Sequence, residues 1–215
     1  MGFFRHSPSR IPALIWKNLK YPFSGPALEA RFDRRHGIET IATAEESAGA
    51  KVVHLAIPLR HGAALISSVA AKAKGFAFID IGCSKGRALA LARARNFSRL
   101  IGIEMDPYFA AIARRNMKII GSGEIVEMDA LTYEFPPVET VFFLYRPFEL
   151  SVAERMGDHI MESLRKHPRK IFILYYADDF PKSLAPLSHR EVKMPYDPSE
   201  RFKSFGFTAR LYESA

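Results

Sequence analysis

The run Phe78-Ile79-Asp80-Ile81-Gly82-Cys83-Ser84-Lys85-Gly86-Arg87 is the segment of this chain best suited to chemistry. An apolar strand ends in an acid, passes through a glycine turn and opens a helix over 88–94, the arrangement by which open α/β sheets bind ligands at the carboxyl ends of their strands. Gly82 permits the sharp exit from the strand, and Gly86 lets the helix pack closely while leaving backbone N–H groups facing outward. Glu104 closes the next strand about two dozen residues beyond Asp80, near the separation of ~20 at which a carboxylate reaches ribose hydroxyls. Asp129, in Met128-Asp129-Ala130 at the end of a third strand, would project from the same edge, where it could accept a hydrogen bond from an adenine amine. Three acids are therefore expected on one rim, around a nucleoside.

A parallel sheet is needed to bring these residues together. Short apolar runs over 76–81, 100–103, 125–126, 141–145 and 171–176 alternate with helical patterns, the signature of parallel strands covered by helices on both faces. Asp106-Pro107 reads as an N-cap followed by proline at the first helical position, with Phe109, Ile112, Ala113 and Met117 on one face. Ser151 with Glu154 matches a capping box, and Val152, Met156, Ile160 and Leu164 recur every four residues. Toward the C-terminus, Pro181, Pro186, Pro195 and Pro198 punctuate loops, and Phe207, Ala209 and Leu211 alternate with Thr208, Arg210 and Tyr212 as in a closing antiparallel pair. Segments 26–35 and 61–74 read as helices. The expected fold is a Rossmann-like α/β seven-stranded mixed sheet, five strands parallel, with a C-terminal antiparallel pair and an N-terminal helical extension. The division falls at 1–74 for arm and helical cap and 75–215 for the sheet domain.

With 48% hydrophobic and 25% charged residues among 215, the balance is that of a folded globular chain. The single cysteine, Cys83, forms no internal disulfide, and the seven scattered histidines offer no zinc spacing, so no metal is expected and a reducing, cytoplasmic setting fits. No stretch of about 18 apolar residues is present to span a membrane. Thirty-one Lys and Arg against 23 Asp and Glu give +8, which favours an acidic macromolecule, RNA or protein, as partner. Residues 1–28 contain no acid but hold Arg5, Arg10, Lys17 and Lys20 among Phe3, Phe4, Ile11, Leu14, Ile15 and Trp16. This arm suits a peripheral membrane contact, an organelle-targeting peptide or a segment packed on its own domain, the last being the default.

Taken together, Asp80-Ile-Gly82-Cys-Ser84-Lys-Gly86 resembles the first motif of the class I S-adenosylmethionine-dependent methyltransferases. By that resemblance, Gly82, Ser84 and Gly86 would hold the methionine end of the cofactor S-adenosyl-L-methionine, Glu104 its ribose, and Asp129, with Met105 and Ala130 beside it, the adenine. The stretch from Phe32 to Thr40 resembles the lead-in of bacterial methyltransferases of this class, extending the likeness over nearly the whole chain. In such relatives the fourth strand often runs into Asn-Pro-Phe, similar to the turn with which nitrogen-methylating enzymes accept from the target amine; here it is Tyr145-Arg146-Pro147-Phe148. Arginine has no acceptor. Tyr145 and Arg146 would border the methyl-transfer point without that role, and Ser84 replaces the middle glycine of the motif. The methyl acceptor is not read from these residues.

Several residues carry ordinary readings beside the sharp ones. Met105 suits either core or the adenine face; Cys83 is a small filler or, at a strand-to-helix turn, a thiol of lowered pKa. Asp178 and Asp179 form a polar loop unless they act as an acid/base pair, and Arg34 and Arg35 a solvated face unless they clamp an anion. Two other functions compete: an NAD-dependent oxidoreductase, disfavoured by glycine spacing that departs from G-x-G-x-x-G, and a catalytically silent module of this fold that binds acidic partners.

Overall fold

The structure is a computed structural model that describes residues 25–41, 56–146, 149–195 and 208–215. Expectations for the arm up to residue 24, and for Pro147 and Phe148, lie outside the described residues. The chain runs α1 (Gly25–His36), α2 (Leu59–Ala70), β1 (Ala77–Ile81), α3 (Arg87–Ala92), β2 (Arg99–Glu104), α4 (Pro107–Ile120), β3 (Glu124–Glu127), β4 (Thr140–Tyr145), α5 (Leu150–Lys166), β5 (Ile171–Ala177), β6 (Ser188–Glu191) and β7 (Thr208–Glu213). Among the described residues seven strands form one sheet in the order β3-β2-β1-β4-β5-β7-β6. The pairings from β3 through β5 are parallel, and β7 pairs antiparallel with both β5 and β6, as expected.

The period of two along each strand sends alternate residues into two cores. Phe78, Leu100, Val141, Phe143 and Leu174 face the side covered by α2, α3 and α4, where they join Leu65, Leu89 and Met117. Ile79, Ile101, Phe142, Leu144 and Ile173 face α5, against Ala153, Met156 and Ile160. Ile38, Ile57 and Leu65 share the first core with the strands, so the upstream helical segment is packed onto the sheet. The same alternation places Asp80, Gly102 and Tyr145 on the α2–α4 face, with Asp80 in register beside Gly102 and Phe143.

Asp106 caps α4 as its sequence requires, its carboxylate accepting from the N–H of Tyr108 at 2.9 Å and of Phe109 at 3.4 Å, with Pro107 in the first turn. The capping box expected at Ser151 does not form. Helix α5 begins two residues earlier, with Glu149 at the N-cap, so Ser151 lies inside the first turn. Glu154 instead reaches the short 3-10 turn Lys182–Leu184, accepting from the N–H of Lys182 at 2.7 Å and of Ser183 at 3.0 Å. A tertiary partner has outcompeted the local one.

Gly102 is the tight point of the first core. A Cβ there would lie 2.7 Å from Cys83 Sγ and from Leu89 Cδ1, and 2.9 Å from Ile125 Cδ1. Gly102→Ala is expected to destabilise the fold by about 1–3 kcal/mol through overpacking. Urea unfolding checks this, and an unchanged midpoint would contradict the packing described.

Candidate functional site

The exit from β1 is folded back onto β2. The N–H groups of Gly82 and Cys83 both donate to the Ile103 carbonyl, at 2.9 and 3.0 Å, and that of Gly86 donates to Cys83 at 2.8 Å. Ser84 N–H donates to Glu104 Oε2 at 2.8 Å, while Glu104 Oε1 accepts from Asp106 N–H at 2.9 Å. Glu104 is buried, and its two oxygens tie the glycine loop to the β2–α4 turn. The amides of Gly82, Cys83, Ser84 and Gly86 thus face inward, not outward: in so short a loop the nearest acceptors are the loop's own carbonyl and the carbonyl end and terminal acid of the adjacent strand. Gly86 is likewise buried and left-handed, φ +82°, with Met117 Cε 3.0 Å from where its Cβ would stand. Ser84 adopts φ +46° at the position where the motif usually carries glycine, a conformation costing a non-glycine residue about 1–2 kcal/mol.

Asp80, Gly82, Ser84 and Tyr145 line one small cleft, of about 30 Å³, between the tips of β1 and β4 and the segment at Thr40 and Ile57. Asp80 is only 4% exposed, and among the described residues no ion pair involves it. Burial, reinforced by the neighbouring Glu104 carboxylate, pushes Asp80 up to about 8. Burial also raises the Tyr145 hydroxyl well above its ordinary value, as does Tyr176, whose ring lies 5.5 Å away. Tyr145 is therefore a neutral donor at physiological pH. Arg146 is exposed at the end of β4, with φ +43° and its N–H bonded to the Tyr176 carbonyl at 3.0 Å.

The remaining expected residues stand at neighbouring strand tips. Beyond β3, Met128 N–H donates to the Glu104 carbonyl at 3.1 Å. The next residue, Asp129, is exposed and caps the 3-10 turn Ala130–Thr132 through the N–H of Leu131 at 2.9 Å. Ala130 is buried under this turn. Met105 is 68% exposed, which removes its core reading. Cys83 is buried and its thiol is pushed up by burial and by Asp80 and Glu104, so the lowered-pKa alternative fails. Asp178 and Asp179 lie exposed after β5, and Arg34 and Arg35 are exposed in the last turn of α1.

A polar clamp over the glycine loop was not foreseen. Asp33 accepts from the N–H and hydroxyl of Thr40, at 2.7 and 2.6 Å, and Thr40 Oγ1 accepts from Arg87 Nε at 2.8 Å. Lys85, 2% exposed, donates to Glu39 Oε1 at 2.7 Å and to the Ile41 carbonyl at 2.9 Å. Asn116 on α4 donates to the carbonyls of Glu39 and Lys85, at 2.7 and 2.9 Å. The signal available in the sequence was two long cations, Lys85 and Arg87, inside a loop of small residues, with Glu39-Thr40 in the lead-in.

No family model matches the chain. An uncharacterized protein from Methanothermobacter thermautotrophicus is 33% identical over 79 residues, 37% of this chain; the match spans 31% of that protein's length. Among solved structures, an Escherichia coli protein assigned to the methyltransferases superposes with a TM-score of 0.56 at 19% identity, over 74% of this chain and 86% of that one. An RNA methyltransferase from Salinibacter ruber, solved with S-adenosyl-L-homocysteine, gives 0.50 at 18% identity over 75% and 93%. A Haemophilus influenzae protein assigned as a methylase gives 0.50 at 16% identity over 71% and 86%. The fold of this chain is thus the Rossmann-like fold of these methyltransferases.

Because Asp80 holds its proton more tightly when folded than at its ordinary 3.8, the stability it contributes is complete below about pH 4 and is lost as pH rises through about 8. Asp80→Asn is expected to flatten that part of the profile and to raise Tm at pH 8.5 more than at pH 5. Thermal unfolding across this range checks it; parallel profiles would contradict the burial of an uncompensated acid.

Proposed function

We propose that the protein is an S-adenosyl-L-methionine-dependent methyltransferase, with its cofactor lying across the tips of β1, β2 and β3. The observation that carries this reading is the buried Asp80 carboxylate, facing a cleft beside a second buried acid, Glu104, without a cation of its own. A buried acid without a counterion keeps its proton, and a cationic ligand placed beside it would favour the ionised form. When bound, the cofactor supplies a methyl group on a positively charged sulfur. Gly82, Ser84 and Gly86 would shape the wall for its methionine end. Glu104 accepts one backbone amide on each oxygen, which leaves lone pairs on both for ribose hydroxyls. Asp129, exposed beyond β3, would accept from the adenine amine, with Met105 and Ala130 against the ring.

Methyl transfer is an in-line displacement, so positioning and charge environment supply most of the acceleration. Tyr145, a neutral phenol at the mouth of the cleft, would orient the acceptor rather than deprotonate it, and Arg146 would border it as a donor. The +8 charge favours an acidic macromolecule, RNA or protein, as acceptor, with the arm 1–28 as a further contact to it or to a membrane surface. In this reading residues 1–74 form the arm and cap, residues 75–215 form the catalytic domain, and the setting is cytoplasmic. A silent binding module of the same fold is the second reading, favoured by the donor-only Arg146 where an acceptor would serve nitrogen methylation. It expects salt-dependent nucleic-acid binding without methyl turnover.

Calorimetry with S-adenosyl-L-homocysteine is expected to give binding that Glu104→Gln weakens at least about tenfold while circular dichroism stays unchanged. Unchanged affinity would remove the Glu104 assignment. Heat with NADH and none with S-adenosyl-L-homocysteine would install the oxidoreductase instead. Labelled S-adenosyl-L-methionine incubated with nuclease-treated and protease-treated extract separates RNA from protein acceptors, and no incorporation anywhere favours the silent module.

A further inference from the structure

The helices of the two faces differ in charge. Helix α5 sets Glu154, Asp158 and Glu162 against Arg155, Arg165 and Lys166, a balanced mixture. Helix α4 holds Arg114, Arg115 and Lys118 with no acid, and α1 holds Arg31, Arg34 and Arg35 with Glu29 and Asp33. Both acids of α1 turn toward the domain: Glu29 Oε1 lies 3.1 Å from Arg87 Nη1, and the buried Asp33 accepts from Thr40. Its arginines, spaced i, i+3 and i+4, share the outward side and are exposed. The chain just after α1 runs along α4, where Glu39 N–H donates to Asn116 Oδ1 at 3.1 Å and Arg115 Nη2 lies 2.6 Å from Glu39 Oε2. The outward sides of α1 and α4 therefore belong to one face. On it, Glu39 is held by Lys85 and Arg115 and Glu127 by Arg114, whereas Arg31, Arg34, Arg35 and Lys118 form no ion pair with any described residue.

A surplus of unpaired cations selects a polyanion, and the make-up of the face narrows its kind. A protein partner needs a desolvated apolar centre depleted of charge. Here cations predominate, and the large exposed apolar side chains, Tyr108 and Ile119, stand near opposite ends of α4. A lipid surface needs an apolar helix side to insert, yet the outward positions 31, 34 and 35 of α1 are all arginine. A phosphate backbone asks only for spaced cations, and arginine forks pair with phosphate oxygens. Tyr108, 56% exposed in the first turn of α4, offers a ring on which an unpaired base can stack. We propose that the outward side of α1 and α4 docks single-stranded RNA, with phosphates on Arg31, Arg34, Arg35 and Lys118 and a base on Tyr108. The face adjoins the cleft, since Asp33 of α1 holds Thr40 in the cleft wall. That the docked strand is the methyl acceptor rests on the methyltransferase reading above; the docking itself does not.

The test is fluorescence anisotropy of a short labelled single-stranded RNA on the full chain across a salt series. The association constant is expected to fall with a log–log slope of about −3, the value for four phosphate contacts on a single strand. Replacing the α1 arginines together, Arg31→Gln, Arg34→Gln and Arg35→Gln, is expected to flatten the slope to about −1 and to weaken low-salt binding roughly tenfold or more. If that variant does not fold, Arg35→Gln alone should flatten the slope by about 0.7. Removing the same charge from α5, by Arg155→Gln, Arg165→Gln and Lys166→Gln, is expected to leave the slope and affinity near wild type. Tyr108→Ala should cost about fivefold or more. Equal losses in the two triple variants would assign binding to net charge and overturn the surface. No RNA binding by wild type overturns it as well, and so does tighter binding of polyglutamate, phosphatidylglycerol vesicles or DNA of the same sequence. Labelled-methyl incorporation into nuclease-sensitive material should drop in the α1 variant while its affinity for S-adenosyl-L-homocysteine holds; unchanged incorporation overturns the acceptor role. Binding of S-adenosyl-L-homocysteine without RNA removes this inference alone, and binding of RNA without S-adenosyl-L-homocysteine removes the cofactor reading alone.

Discussion

The carboxylate of Glu104 is the interaction on which the rest of the site depends. One oxygen holds the amide of Ser84 and the other the amide of Asp106, so a single buried acid sets the distance between the β1 exit loop and the start of α4. Both amides belong to half-buried residues and find their acceptor here. The price of this arrangement is visible on either side: Ser84, held by one oxygen, adopts a left-handed conformation, and the negative charge of Glu104 adds to the burial that drives Asp80 toward its neutral form.

The clamp over 33–41 completes what the sheet alone leaves open. Lys85 and Arg87 belong to the glycine loop by sequence, yet their side chains end on Glu39, Thr40, Ile41 and Ile57, so the loop cannot take this shape without the upstream segment. The same segment forms one wall of the cleft at Thr40. Removing the 33–41 segment would expose Asp80 to water and relieve the burial that raises it, changing the charge of the site as well as its shape.

Much of the fold was legible because its signals are local. The five apolar runs read as parallel strands match β1 to β5 to within a residue or two, and Asp106-Pro107 marks the start of α4 to the residue. The glycine loop and Glu104 were legible for the same reason. What escaped was long-range. The Ser151–Glu154 pair has the spacing of a capping box, but spacing does not report that Lys182 and Ser183 offer competing amides nearly thirty residues away. The pairs Lys85–Glu39 and Arg87–Thr40 join residues 46 and 47 apart, with no periodicity to announce them. The inward turn of the loop amides escaped as well, since it depends on the register of β2 beside β1.

The two margins of the sheet bear on how this chain behaves among copies of itself. The outermost strands, β3 and β6, are each four residues long. β3 carries Glu124 and Glu127 exposed at its ends, and every residue of β6, from Ser188 through His189 and Arg190 to Glu191, is exposed. Short, charged rims give an incoming strand few backbone groups to pair with, and they impose a desolvation penalty on any that tries. The long apolar strands that could template aggregation, β1, β4 and β5, are enclosed between neighbours and present no open side.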